Sequence, residues 1–215
     1  MSRGSQRHYS IDDYFTVEEM SEVKHEYYNG EIFAMAGASL EHNEIAANVL
    51  SGFRAALLDT DCGVYGSDLR ILTPSGLYTY PDISVICGEV QLEPDRADTA
   101  LNPVILVEVL SEATEEYDRG EKCTLYKSIL SLRHYILISQ SEILIDHFVR
   151  IQPDEWHHHS LRNRDDILQI TGPALAINAN FGIGAGPSFP TRSMLPSAWA
   201  FSSFDPLGDM FTESM

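Results

Sequence analysis

Cysteine is scarce. The chain has three in 215 residues, at positions 62, 87 and 123, and no CxxC spacing. An odd, scattered set disfavours a zinc knuckle or a disulfide scaffold and predicts reduced thiols in a cytoplasmic protein. Long apolar runs are missing too. None approaches the ~18 residues of a membrane span, and the polar amino terminus lacks the apolar segment of a signal peptide, so no membrane partner is expected. Positive charge is short: 14 Lys and Arg face 32 Asp and Glu, for a net −18. Affinity for nucleic acid is largely counterion release by basic residues, so the global field of this chain repels DNA. Binding would need a cation at an acidic site and a local basic margin, for which Arg119, Lys122, Lys127 and Arg133 are the candidates.

What is present is enough apolar side chain, 44% of residues, for one sizeable core, and a single domain of ~150 to 170 residues is the natural expectation. Ser10-Ile11-Asp12-Asp13 has the form of a helix start, with helix to about Met20. Asn29-Gly30 marks a hairpin between 25–28 and 31–36. Ile45, Val49, Phe53 and Leu57 give a long amphipathic helix over 39–58. Strands are expected at about 63–72 and 78–87, joined by Thr73-Pro74-Ser75-Gly76, and at 103–110, 133–139, 142–150 and 156–161. Thr114 as N-cap and the spacing of Tyr117, Leu125, Tyr126 and Ile129 predict one helix over 115–130. The fold class is α/β (α+β): a mixed central sheet flanked by helices, preceded by a helix and a β-hairpin.

Two apolar strands each carry one acid, Asp82 in Tyr80-Pro81-Asp82-Ile83-Ser84-Val85-Ile86 and Glu108 in Pro103-Val104-Ile105-Leu106-Val107-Glu108-Val109-Leu110. A lone ionised carboxylate in a dry strand costs several kcal/mol, so both are expected to be neutralised, paired or bound to a cation. Two hard oxygen ligands suit Mg²⁺ or Mn²⁺. Lys122 lies four residues before Tyr126 and one turn after Asp118, on the inward stripe of its helix, from which an ammonium can orient a water and stabilise charge on a phosphate.

These segments, with Ser111 and Tyr117-Asp118-Arg119-Gly120-Glu121-Lys122, resemble the Uma-type restriction endonuclease family of the PD-(D/E)XK nuclease superfamily, over about 9–170. The resemblance implies a restriction-endonuclease-like core, Mg²⁺ (or Mn²⁺) as cofactor and DNA as substrate, with Asp82 and Glu108 as metal ligands and Asp82, Glu108 and Lys122 as the catalytic set. The superfamily lysine stands two positions after the acid, where this chain has Leu110; the resemblance implies its migration to Lys122. Glu26 and Glu31 match acidic positions of the family's opening segment, although exposed hairpin charge also accounts for them. His42, Glu44, Asp68 and Asp118 are further neighbours to watch. First-turn solvation and capping explain His42 and Glu44 without a metal, and an outward or turn-facing position before Arg70 explains Asp68.

His157-His158-His159 cannot jointly hold one ion, because consecutive strand residues face opposite ways. Residues 1–8 read as a disordered lead, and 9–172 as the domain. In 173–215, 21 of 43 residues are Gly, Ala, Ser or Pro and none is lysine; this tail reads as poorly ordered and as a divergent or frame-shifted ending, with an edge strand retained at Leu175–Ile177. Two functions stay open: a Mg²⁺-dependent endonuclease, in which a second copy of the chain is a candidate partner, and an inactive interaction module that keeps the fold.

Overall fold

The computed structural model describes residues 8–171 and the strand at 175–178. The chain opens with α1 (Ile11–Met20), whose capping box is complete: Asp13 N–H donates to the Ser10 hydroxyl and Ser10 N–H to the Asp13 carboxylate. β1 (His25–Tyr28) and β2 (Glu31–Ala34) form the expected hairpin, turned by Asn29 and Gly30 at φ 49° and 83°. α2 (Leu40–Ala56) is capped by Ser39. Then come β3 (Cys62–Gly66), β4 (Arg70–Leu72), β5 (Tyr78–Thr79), β6 (Ile83–Cys87), β7 (Thr99–Ala100) and β8 (Ile105–Leu110). α3 (Glu115–Arg119) and α4 (Glu121–Lys127) lead to β9 (His134–Ser139), β10 (Ile145–Gln152), β11 (Glu155–Leu161), β12 (Ile167–Ile170) and β13 (Leu175–Asn178).

The central sheet has six strands in the order β11-β10-β9-β8-β6-β3, parallel only at β8 with β9, where α3 and α4 make the crossover. Alternation along β8 sorts the core. Ile105, Val107 and Val109 pack with Ile45, Val49 and Phe53 of α2, whereas Leu106 and Leu110 face Leu125, Tyr126 and Ile129. Each such side chain contributes ~1.5–3 kcal/mol on burial. A second, five-stranded sheet runs β2-β1-β5-β4-β7, and α1 covers it through Tyr14 stacked on Tyr27. β12 and β13 form a separate pair.

Three expectations are corrected. The runs 63–72 and 78–87 are not single strands, for each divides between the two sheets. The first breaks at a turn in which Leu69 N–H donates to Gly66 O, and the second at Pro81, which has no N–H for a ladder. The 115–130 helix breaks at Gly120 (φ −102°, ψ −99°), where a Cβ would lie 2.9 Å from the Glu116 carbonyl oxygen; Thr114 pairs with the Ser111 hydroxyl and makes no cap bond. The thiols are not all free: Cys62 and Cys87 are direct partners across β3 and β6 and form a disulfide, leaving Cys123 buried and unpaired. Cross-strand register brings them together, which sequence spacing does not reveal.

β13 forms where the edge strand was expected. Apart from His8 and that strand, the lead over 1–8 and the tail over 173–215 lie outside the described residues. Among the described residues no helix is long and apolar enough to cross a membrane.

Candidate active site

The chain crosses between the two sheets at Tyr80-Pro81-Asp82, so Asp82 stands at the head of β6, beside β8. The antiparallel register pairs Ile83 with Val107, which sets Asp82 opposite Glu108. Each acid accepts from the backbone of the opposite strand. Asp82 N–H donates to Glu108 Oε2 at 3.2 Å, and Val109 N–H donates to Asp82 Oδ2 at 2.8 Å. His42, in the first turn of α2, places Nε2 3.1 Å from the same Asp82 oxygen.

The break at Gly120 lets α4 start afresh and send Lys122 and Tyr126 inward, one turn apart. Lys122 Nζ lies 2.9 Å from Glu108 Oε1, 2.9 Å from Glu26 Oε1 and 3.5 Å from Asp118 Oδ1, so its three protons face three carboxylates. Tyr126 donates to Glu108 Oε1 at 2.7 Å, and the Thr79 hydroxyl donates to Glu26 and lies 3.3 Å from the Tyr126 hydroxyl. The contacts close a ring through Lys122, Glu108, Tyr126, Thr79 and Glu26. It joins both sheets to α4.

Charge does not balance in this ring. Glu26, Glu108, Asp118 and Lys122 are all buried, and Asp82 is 18% exposed at the rim. Burial, only partly offset by Lys122, pushes the Glu108 carboxyl up to about 8. Burial also raises Asp118, against the pull of Lys122. For Lys122 burial works the other way, yet Glu108, Tyr126, Glu26 and Asp118 together hold it well above an ordinary lysine. The hydrogen bond to Asp82 raises His42 despite its burial. Burial is the main brake on ionisation of Glu108, and around it three carboxylates share the one ammonium of Lys122. Asp82 and Glu108, all-oxygen donors on adjacent strands, fit a hard divalent cation.

The other residues fall as follows. Asp118 joins the ring and His42 the rim. Glu44 lies two positions past His42, roughly the opposite side of α2, and makes none of the site's bonds. Asp68 pairs with Lys24 in the Gly66–Leu69 turn, its side chain 95% exposed. Glu31 ends the hairpin opposite Tyr28. Glu26, which hairpin exposure would have explained, is instead buried against Lys122. The margin expected of Arg119 and Lys127 is engaged elsewhere: Arg119 pairs with Glu115 and Asp146, and Lys127 sits 4.6 Å over the Phe148 ring. The histidine run alternates as predicted, His158 bonding Asp146 at 2.9 Å and His159 approaching His147 at 3.2 Å on the other face.

The profile described as "Uma2: Putative restriction endonuclease" matches residues 11–180. The chain belongs to the Uma2 family. Two proteins of Synechocystis sp. (strain ATCC 27184 / PCC 6803 / Kazusa) are similar to it. One, slr1290, is 38% identical over 150 residues, 68% of this chain and 77% of its own length. The other, sll1609, is 30% identical over 145 residues, 67% and 82%. A crystal structure described as a "putative nuclease belonging to DUF820" from Anabaena variabilis ATCC 29413 superposes with a TM-score of 0.64 at 18% identity, covering 78% of this chain and 93% of that one. The Uma2 chain therefore shares the fold of that structure, with its acid ring at the seam between the two sheets.

Proposed function

We propose that this Uma2 protein is a metal-dependent endonuclease that hydrolyses DNA phosphodiester bonds, with Asp82 and Glu108 holding Mg²⁺ (or Mn²⁺). The observation that carries the reading is the reciprocal clamp between these two acids in a buried cluster short of positive charge. The cation, when bound, supplies Lewis-acid polarisation of a phosphate oxygen and a more acidic water. Asp82 presents a rim carboxylate. Glu108 is aimed by Tyr126 and Lys122. Lys122 assists the attacking water as a proton-bearing donor and counter-charge rather than as a base. Its 3.5 Å contact with Asp118 is the weakest of its three, and the one it exchanges for substrate. Cleavage of both strands would call for a pair of subunits.

A non-catalytic interaction module is the second reading, favoured by two observations: Arg119 and Lys127 are engaged within the chain, and the net charge is −18. Incubation of supercoiled plasmid with Mg²⁺ or Mn²⁺ separates the two. Nicking or linearisation by the wild type, lost in Asp82→Ala and Glu108→Ala, supports the endonuclease; an intact plasmid under both metals supports the module.

A further inference from the structure

A second group of ligands lies far from the acid ring. Asp61, Cys62 and Cys87 offer one carboxylate oxygen and two sulfurs that all lie within 4.8 Å of one another. Cys62 opens β3, the edge of the six-stranded sheet, and Cys87 closes β6 as its direct cross-strand partner. The pairing is fixed one step beyond the strands, where Gly88 N–H donates to Asp61 O at 2.9 Å. Asp61 Oδ1 is 3.8 Å from Cys62 Sγ. Asp61 is exposed and both cysteines are partly so, and ions can reach all three from solvent. Asp82 lies five residues up the same strand, about 17 Å away at strand rise.

We infer that the dithiol form of this end of the sheet is a site for a thiophilic divalent cation such as Zn²⁺, with Cys62 and Cys87 as thiolate ligands, Asp61 as the third ligand and a fourth position open to water. The chemistry differs from that at Asp82 and Glu108, because two thiolates select a borderline or soft ion where oxygen-only donors select a hard one. Two sulfurs on a tetrahedral zinc stand roughly 3.8 Å apart, given Zn–S bonds of about 2.3 Å. Side chains leaving directly paired strand positions span that separation by small rotations. The disulfide is the alternative state of the same three residues. A dithiol reductant breaks the S–S bond by giving up two electrons and two protons and itself becomes a disulfide; binding of the cation then releases the two thiol protons. The ion and the disulfide exclude each other, so occupancy reports redox state.

The test uses the full chain reduced with a trialkylphosphine, which takes up the oxygen of a water and adds no competing thiol. Titration with Cd²⁺ is followed by thiolate-to-metal charge-transfer absorption in the ultraviolet, and Zn²⁺ by competition. One equivalent of Cd²⁺ per chain is expected, with the signal absent from the disulfide form and from Cys62→Ser and Cys87→Ser. Circular dichroism confirms that both variants fold. Cys123→Ser keeps the full signal, and Asp61→Asn weakens binding at least as much as loss of an outer-shell partner, about tenfold. Charge transfer that is absent from the reduced wild type, survives in Cys62→Ser or disappears only in Cys123→Ser overturns the site.

Discussion

Two polar clusters sit on the six-stranded sheet, and they solve the burial of their inner groups in opposite ways. On the α4 side, Glu26, Glu108 and Asp118 share the single ammonium of Lys122. Near the β10–β11 edge of the sheet, imidazoles form a row: His134 Nε2 lies 2.7 Å from the Thr171 carbonyl, His134 Nδ1 2.9 Å from His147 Nε2, and His147 Nδ1 3.2 Å from His159 Nε2. The carbonyl can only accept. It assigns the proton to His134 Nε2, which leaves Nδ1 to accept from His147, whose own Nδ1 accepts from His159. His134 and His147 are each bonded at both ring nitrogens. The acid ring instead gathers three carboxylates on one ammonium, and the proposed cation site rests on that contrast.

The largest effect expected from breaking this contrast is at its hub. Lys122→Met leaves three buried carboxylates without a counter-charge and should cost ~3–5 kcal/mol of stability, measured by urea denaturation. His147→Leu, which removes the partner of the buried His134 Nδ1 and of the solvent-exposed His159, should cost less, ~1–3 kcal/mol. The two clusters also respond oppositely to pH. Glu108 has a folded pKa raised to about 8 from 4.5. Its contribution is intact below 4.5 and is lost as pH climbs through 8, so the melting temperature should fall over that range in chelator, and less so in Glu108→Gln. His147 is pushed down from 6.5 to about 3 by burial and by its histidine neighbours. Its contribution is intact above 6.5 and is lost as pH drops through 3, a decline that His147→Gln should soften.

Divalent cation sharpens the contrast further. At pH 8, Mg²⁺ should raise the melting temperature of the wild type through binding to the native state alone and leave Asp82→Asn unmoved, whereas His147→Gln should respond as the wild type does; differential scanning fluorimetry reads all three. The smallest effects are expected at Glu44→Gln and Asp68→Asn, both outside the ring, with stability changes within about 0.5 kcal/mol and the Mg²⁺ response intact.

Much of the acid ring was legible in sequence because it follows from periodicity. Alternation in β8 turns Glu108 to the α4 side, and helical spacing puts Lys122 and Tyr126 on one stripe of α4, whereas Asp118 reaches Lys122 across the break at Gly120. Glu26 was harder to read. Its strand has only four residues, and a hairpin beginning at His25 gives no sign that a second sheet layer covers it. A tyrosine on either side of the strand, Tyr27 and Tyr28, was the available hint that both faces are covered. The split of 63–72 and 78–87 between two sheets is not legible in sequence, since an apolar run looks the same whichever sheet each half joins. The cysteine pairing depended on register, which local patterns leave undetermined.

One consequence follows from where the ring sits. Glu26 and Thr79 belong to the five-stranded layer, Glu108 to the six-stranded one, and Lys122 and Tyr126 to the helix packed alongside. The ammonium is thus a rivet through three plates. Under the proposed reaction, a phosphate or ion that drew Lys122 away would slacken contacts to both layers at once.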